Sequence, residues 1–128
     1  MAEKSYLEYF AGKRIFIIDA GYFLTDEVRA KLEAFGAQIV VSSARSKDAL
    51  LLLRNTVIDA AILDIHLRDE VIFPIVESLE LRNVPFIFAT SQSPVALAPR
   101  FTGFRMSVKR EDLEDIARAV FAPEDRRN

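Results

Sequence analysis

The chain has 128 residues, of which 51% are hydrophobic and 28% are charged, and its formal net charge is −2; these proportions are typical of one soluble globular domain. It contains no cysteine and a single histidine, His66, which excludes disulfides, thiolate zinc sites, cysteine nucleophiles and histidine-rich metal sites. The acidic balance argues against nucleic acid as a partner, no apolar run approaches the roughly 20 residues that cross a membrane, and without a signal-peptide pattern we expect a cytoplasmic protein.

Short apolar runs alternate along the first half of the chain with segments of helical period. The first run, 15–18, ends at Asp19. Apolar residues at three- and four-residue spacing over 24–35 then predict an amphipathic helix. Gly36 is placed to end that helix, as glycine often does just past a helix C-terminus. A second strand-like run follows at 39–41.

The second half of the chain continues this alternation. Ser46 can cap the second helix, and Pro74 fits the third helix only in its first turn. The remaining strand-like runs and the apolar stripe of the last helix lie at 60–63, 86–89, 105–108 and 113–121. A short helix between two prolines at 93–100 would bring the number of helices to five.

Strands that are apolar throughout and are each followed by a helix favour a parallel sheet with helices on both faces. Because crossovers between parallel strands are almost always right-handed, the pattern predicts a doubly wound α/β domain of three layers. We expect residues 13–122 to form this domain, with an N-terminal extension at 1–12 and a C-terminal tail at 123–128. The extension carries aromatic residues at helical spacing, which favours docking on the domain's own surface over a partner motif; they are Tyr6, Tyr9 and Phe10.

Four of the five apolar runs lead into a polar side chain, namely Asp19, Asp64, Thr90 and Lys109. Ligands of open α/β sheets bind outside the carboxyl ends of the strands, so we expect these four side chains to meet at one edge. Two carboxylates, a hydroxyl and an ammonium group suit a magnesium ion together with a phosphoryl group. The sequence therefore predicts a phosphoryl-binding edge.

These residues resemble the receiver domain of bacterial two-component response regulators over residues 13–121. The similarity rests on Asp19 and on Ile62–Ile65, Phe88–Thr90 and Val108–Lys109. Two further segments resemble a subgroup of single-domain receivers; they are Val71–Pro74 and Val84–Thr90. The resemblance implies a flavodoxin-like fold with five parallel strands in the order 2-1-3-4-5 and five helices.

The resemblance also implies roles for the residues at the edge. Asp64 would be the phosphoacceptor, and Thr90 and Lys109 would bond the phosphoryl group. Mg²⁺ would be held by Asp19, Asp64 and the backbone carbonyl of His66. The protein would be a phosphoacceptor signalling domain rather than an enzyme.

The partners that the resemblance implies are proteins. A sensor histidine kinase would supply the phosphoryl group, and a homodimer could form through the face of helix 4, strand 5 and helix 5. Because no effector domain follows the receiver, we expect output through contact with a further protein, whose identity the sequence does not give. Neither nucleic acid nor a membrane is expected as a partner.

Three positions depart from the receiver pattern. Ala20 stands where the family has a second acidic residue that binds the metal directly, which predicts weak magnesium binding. Arg110 replaces a proline whose cis peptide helps to aim the lysine; a cis bond before arginine would cost about 2.5–4 kcal/mol, so we expect a trans bond. Met106 replaces an aromatic residue that rotates inward in many receivers.

These departures keep a second function open. A receiver-like domain that works without phosphorylation would present the same face constitutively for dimerisation or partner docking. Asp64 would then only cap the loop after its strand, and the His66 side chain would face solvent. Nucleotide-binding glycine motifs are absent, and the turn at 19–22 lacks the hydroxyl- and glycine-rich cradle of a flavodoxin-like electron carrier.

Overall fold

The computed structural model describes residues 5–20, 24–42, 44–90 and 104–121. Within these ranges the strands form one all-parallel sheet in the order β2-β1-β3-β4-β5. The strands are β1 (Arg14–Ile18), β2 (Gln38–Ser42), β3 (Ala60–Asp64), β4 (Phe86–Thr90) and β5 (Phe104–Arg105). The predicted flavodoxin-like topology is thereby confirmed.

Helices cover both faces of this sheet, as the uninterrupted apolar strands predict. A 3₁₀ helix (Tyr6–Phe10) precedes β1. The α-helices in the described part of the chain are α1 (Asp26–Ala34), α2 (Ser46–Arg54), α3 (Asp69–Leu81) and α4 (Arg110–Phe121). None of the helices in these ranges is both long and apolar enough to cross a membrane.

Two apolar clusters, one on each face of the sheet, form the core. The 3₁₀ helix, α1 and α4 pack on one face, where Ile17 and Ile62 contribute from the strands. The helices α2 and α3 pack on the other face against Phe16 and Leu63. All five residues of the central strand β3 are buried. This arrangement carries the carboxyl end of β3 to the middle of one sheet edge.

The N-terminal extension is anchored to the domain that it precedes. Leu7 and Phe10 of the 3₁₀ helix are buried in the core. The Phe10 ring stacks on Phe35 at 6.2 Å between centroids and meets Phe121 edge-on at 5.4 Å. These contacts agree with the expected docking of the extension on the domain's own surface.

Gly36 ends α1 as predicted, and two constraints require glycine there. Its φ of 101° lies in the left-handed region. A Cβ atom at this position would lie 2.8 Å from the Cα atom of Ala11. The carbonyl of Gly36 accepts a hydrogen bond from the N–H of Gly12 at 2.9 Å, which ties the end of α1 to the chain entering β1.

Details of three elements differ from the prediction. Pro74 is the sixth residue of α3 and not part of its first turn, because the helix begins at Asp69, before its apolar stripe. The helix α2 begins at Ser46 itself, with Arg45 as the N-cap residue. The fifth strand ends at Arg105, whereas the prediction extended it to 108. The predicted helix at 93–100 lies outside the described residues.

Candidate phosphoryl-binding site

Asp64 lies at the carboxyl end of the central strand, beside the end of β4. It is the last residue of β3 and pairs in register with Ala89. Thr90 is the last residue of β4. Asp64 and Thr90 both have 0% of their surface exposed. The parallel sheet therefore brings the predicted phosphoacceptor and the predicted hydroxyl to adjacent strand ends, both inside the protein.

Backbone N–H groups from two loops hold the Asp64 carboxylate. The N–H of Ala20, just after β1, donates to Oδ2 at 2.9 Å. The N–H of His66, just after β3, donates to Oδ1 at 2.9 Å. Each carboxylate oxygen has more than one acceptor position, so both oxygens can accept a further ligand. The two hydrogen bonds compensate for the burial of a charged group.

Asp19 organises the loop between β1 and α1. Its Oδ2 accepts a hydrogen bond from the N–H of Leu24 at 3.2 Å, and the side chain is half-buried. Thr25 then caps α1, since its side chain accepts from the N–H of Val28 at 3.1 Å. Asp19 therefore lies one residue before the amide that binds Asp64, and its carboxylate bonds the residue that precedes the N-cap of α1.

Lys109 and His66 are the predicted site residues that the structure leaves exposed. The backbone N–H of Lys109 donates to the Ser107 hydroxyl at 3.0 Å. That hydroxyl donates in turn to Asp112 at 2.7 Å, which fixes the turn into α4. The salt bridges in the described ranges do not include one between Lys109 and Asp64. Pairing between these two groups requires Lys109 to turn inward.

The other two departures from the receiver pattern lie close to this turn. Met106 is 2% exposed, and its N–H donates to the Thr90 carbonyl at 2.7 Å. Arg110 is exposed and donates to the Ser5 hydroxyl at 3.4 Å. Met106 therefore fills a core position beside β4, while Arg110 reaches the N-terminal extension.

A polar contact that the sequence did not predict joins the extension to α4. Glu114 accepts from the Ser5 hydroxyl and from the N–H of Tyr6, both at 2.8 Å. The pKa of Glu114 is lower than its ordinary value of 4.5, chiefly because its carboxylate accepts the hydrogen bond from Tyr6. Desolvation opposes this shift, and Ser5, Arg110 and Arg118 add to it. Ser5 and Glu114 are too far apart in the chain for spacing to reveal the pair.

The oxygen ligands at this edge fit a weak site for a divalent cation. The carboxylates of Asp19 and Asp64 and the carbonyl of His66 are oxygen ligands of the kind that Mg²⁺ takes, with water completing its shell. The methyl side chain of Ala20 adds no oxygen ligand, whereas an acidic side chain at that position would add one. Among the described residues, no group of three or more metal-ligating side chains occurs.

Comparisons with known proteins agree with the fold. Neither a protein-family model nor a curated protein matches the chain. The solved structure of SdrG from Pseudomonas melonis Fr1, in its BeF3-activated conformation, is similar over 88% of this chain and 98% of SdrG, with 27% identity and a TM-score of 0.65. The chain therefore has the fold of a receiver domain. Its strand order is the one that the sequence predicted, and the similarity covers almost the whole length of SdrG.

Two longer proteins share the fold of this receiver-like domain. The response regulator PhyR from Brucella abortus is 20% identical over 91% of the chain, with a TM-score of 0.66. The anti-anti-sigma factor PhyR from Bartonella quintana is 18% identical over 90% of the chain, with a TM-score of 0.65. The domain spans about half of each, 51% and 50% of their lengths.

Proposed function

We propose that this receiver-like domain accepts a phosphoryl group on Asp64 from a sensor histidine kinase and passes the signal on by protein contact. The observation that carries the proposal is the placement of Asp64 at the end of the central strand, with each carboxylate oxygen held by a backbone N–H. We place this activity in the cytoplasm. The domain would be a phosphoacceptor with no turnover of its own.

The transfer is an in-line displacement at phosphorus. An oxygen of the Asp64 carboxylate forms a bond to phosphorus while the phosphorus–nitrogen bond of the kinase phosphohistidine breaks. The imidazole nitrogen leaves with the bonding electron pair, and the product on Asp64 is an acyl phosphate. The N–H groups of Ala20 and His66 hold the carboxylate oxygens in place for this attack. Thr90 and Lys109 would then bond the new phosphoryl oxygens.

Magnesium would assist at the same edge. The carboxylates of Asp19 and Asp64 and the carbonyl of His66 would hold it, and the bound ion would neutralise charge on the phosphoryl oxygens. Ala20 contributes no side-chain ligand. We therefore expect the domain to need more magnesium than one with a second acidic residue at position 20.

Burial of Asp64 sets the order of events. Its carboxylate has no exposed surface, so a phosphodonor reaches it only after a neighbouring group moves. Phosphorylation then brings negative charge to the edge, which favours an inward turn of the exposed Lys109. This movement would alter the turn into α4 and with it the face that includes β5 and α4, the strand 5 and helix 5 of the predicted five-helix fold, where we place a homodimer or a downstream protein.

The same burial favours a second candidate function. In a receiver-like domain that works without phosphorylation, Asp64 would tie the loops after β1 and β3 through its hydrogen bonds with Ala20 and His66. The alanine at position 20 and the arginine at position 110 suit this candidate too. The protein would then dock on its partner constitutively.

Labelling by a small phosphodonor separates the two candidates. The full chain is incubated with acetyl phosphate at millimolar magnesium, and intact-mass spectrometry follows the addition of a phosphoryl group. We expect one phosphoryl group on the wild type and none on Asp64→Asn. Asp69→Asn removes an exposed carboxylate from the start of α3 and is the matched control; it should be labelled like the wild type. An unlabelled wild type, or a labelled Asp64→Asn, would contradict phosphorylation of Asp64.

A further inference from the structure

The outward face of α2 carries two leucines between two cations. Lys47, Leu50, Leu51 and Arg54 line a groove with a volume of about 390 Å³. Leu51 is 62% exposed, whereas Leu53 on the opposite side of the helix is fully buried in the core. The helix therefore leaves Leu51 in solvent, while Leu50 beside it is half-buried and packs partly against the core. We call these four residues the α2 surface.

Neither cation of the α2 surface is neutralised within the described ranges. Lys47 and Arg54 are exposed and form no ion pair or side-chain hydrogen bond there. Three other exposed arginines do pair with a carboxylate; Arg29, Arg68 and Arg118 bind Glu33, Glu70 and Asp115. The two cations on either side of Leu51 are thus available to an outside partner.

A second groove continues the positive charge toward the carboxyl edge of the sheet. It has a volume of about 410 Å³ and shares Lys47 with the first groove. Its charged lining consists of three cations and one carboxylate, namely Arg45, Lys47, Arg68 and Glu70. The chain as a whole has a net charge of −2. Because Arg68 and Glu70 form a salt bridge, the excess positive charge of this groove comes from Arg45 and Lys47.

We propose that the α2 surface binds an acidic amphipathic helix of a partner protein. Leu50 and Leu51 would bury apolar side chains of the partner, and Lys47 and Arg54 would pair with its carboxylates at the rim. This layout of apolar centre and charged rim is that of a protein interface. The proposal concerns a surface other than the face that includes β5 and α4, and it stands without phosphorylation of Asp64.

The spacing of the charges specifies the partner further. Arg54 follows Lys47 by seven positions, which corresponds to about 10 Å along a helix at 1.5 Å per residue. Carboxylates seven residues apart on a partner helix, with apolar residues between them, match this distance. A helix with that pattern presents its acidic and apolar groups on one face.

Other occupants fit the α2 surface less well. A two-fold contact between copies of this chain would place the same cations against each other, which repels. Nucleic acid would pair its phosphates with the cations, but it would leave the central leucines without an apolar partner. Charge and apolarity together favour an acidic protein segment.

Selection from a random peptide library tests the proposal without assuming a partner. Displayed peptides are selected on the immobilised full-length chain, and the strongest binder is synthesised with a fluorophore. Fluorescence anisotropy then gives its dissociation constant for the wild type and for variants. We expect selected peptides to place acidic residues on both sides of apolar residues, and their affinity to fall with added salt.

Matched variants locate the binding. Leu51→Ala and the double variant Lys47→Glu/Arg54→Glu should each weaken binding by about tenfold or more. The controls Leu81→Ala, at a position 79% exposed on α3, and Lys31→Glu, at an exposed position on α1, should leave it within about twofold. Circular dichroism checks that every variant is folded.

Three outcomes would overturn the proposal. The first is a set of selected peptides without acidic residues, or with affinities that the α2 variants leave unchanged. The second is a monomer–dimer equilibrium in sedimentation that Leu51→Ala abolishes, which would assign the surface to a second copy. The third is a single-stranded oligonucleotide that binds more tightly than the selected peptide and displaces it.

Discussion

At the scale of single residues, Ala20 has the largest consequence for the chemistry of this domain. Its side chain brings no ligand to the edge, but its backbone N–H binds Oδ2 of Asp64 at 2.9 Å. Any residue other than proline would supply this amide, so the alanine alters only what the side chain brings to the edge, which is no oxygen ligand.

Restoring an acidic residue at position 20 should strengthen magnesium binding. One additional charged contact is worth about 1.5–3 kcal/mol, so Ala20→Asp should raise the affinity about 10- to 100-fold. Isothermal titration calorimetry of the full chain measures the difference. Ala34→Asp, at an exposed position at the end of α1, is the control for added charge and should have little effect. Equal affinities of wild type and Ala20→Asp would contradict this account, because the site would then be either complete without an acidic residue at position 20 or never formed.

At the scale of elements, the contact between the N-terminal extension and α4 explains how residues 5–10 belong to the fold. Glu114 of α4 accepts two hydrogen bonds from Ser5 and Tyr6. The guanidinium of Arg118 lies 5.2 Å from the centre of the Tyr6 ring. Phe10 and Leu7 then carry the extension into the core. Polar contacts fix the start of the 3₁₀ helix, and apolar packing fixes its end.

This contact should make stability depend on pH. The pKa of Glu114 is lower in the folded protein than its ordinary value of 4.5, chiefly because its carboxylate accepts the Tyr6 N–H. The stabilisation is therefore present above pH 4.5 and is lost as the pH falls through the lowered folded pKa. Glu114→Gln should reduce the free energy of unfolding at neutral pH and remove this part of the acid dependence.

Urea unfolding between pH 3 and 7 measures that dependence. Glu111→Gln changes an exposed carboxylate on the same helix and is the control, which should keep the acid dependence of the wild type. If Glu114→Gln and the wild type lost stability in parallel as the pH fell, the stabilising role of the Glu114 carboxylate would be refuted.

The sequence predicted elements whose signal is local. The run 60–63 and its following aspartate identified the central strand, because a strand buried on both faces must be apolar throughout. Gly36 was predictable because a helix end with positive φ favours glycine. The prediction that Pro74 lies in the first turn of α3 was wrong, because the polar residues Asp69 and Glu70 begin the helix ahead of its apolar stripe.

The site was predictable only in part. The side chains at strand ends could be read from the sequence, since parallel strands bring those ends to one edge. The hydrogen bonds from the amides of Ala20 and His66 could not be predicted. Every residue other than proline has a backbone N–H, so no residue type marks the two that bind Asp64. The exposure of Lys109 depends on the Ser107–Asp112 turn, which has no signature in the hydrophobic pattern.

At the scale of the whole molecule, the fold separates two surfaces. The carboxyl edge carries Asp64 and the loops after β1 and β3, where we propose phosphoryl transfer. The outward face of α2 carries exposed leucine and unpaired cations, where we propose an acidic partner helix. The helices α2 and α3 form the layer on one face of the sheet. The strand β2 is an edge strand in the described sheet.

The most direct test of the central claim observes the two amides that hold Asp64. Beryllium trifluoride is added with magnesium to the ¹⁵N-labelled full chain, and the amide resonances of Ala20 and His66 are followed by NMR. Because both N–H groups bind the carboxylate, a phosphoryl mimic on Asp64 should shift both resonances strongly in the wild type and leave Asp64→Asn unchanged. Unshifted Ala20 and His66 amides in the wild type at saturating beryllium trifluoride would contradict Asp64 as the phosphoacceptor.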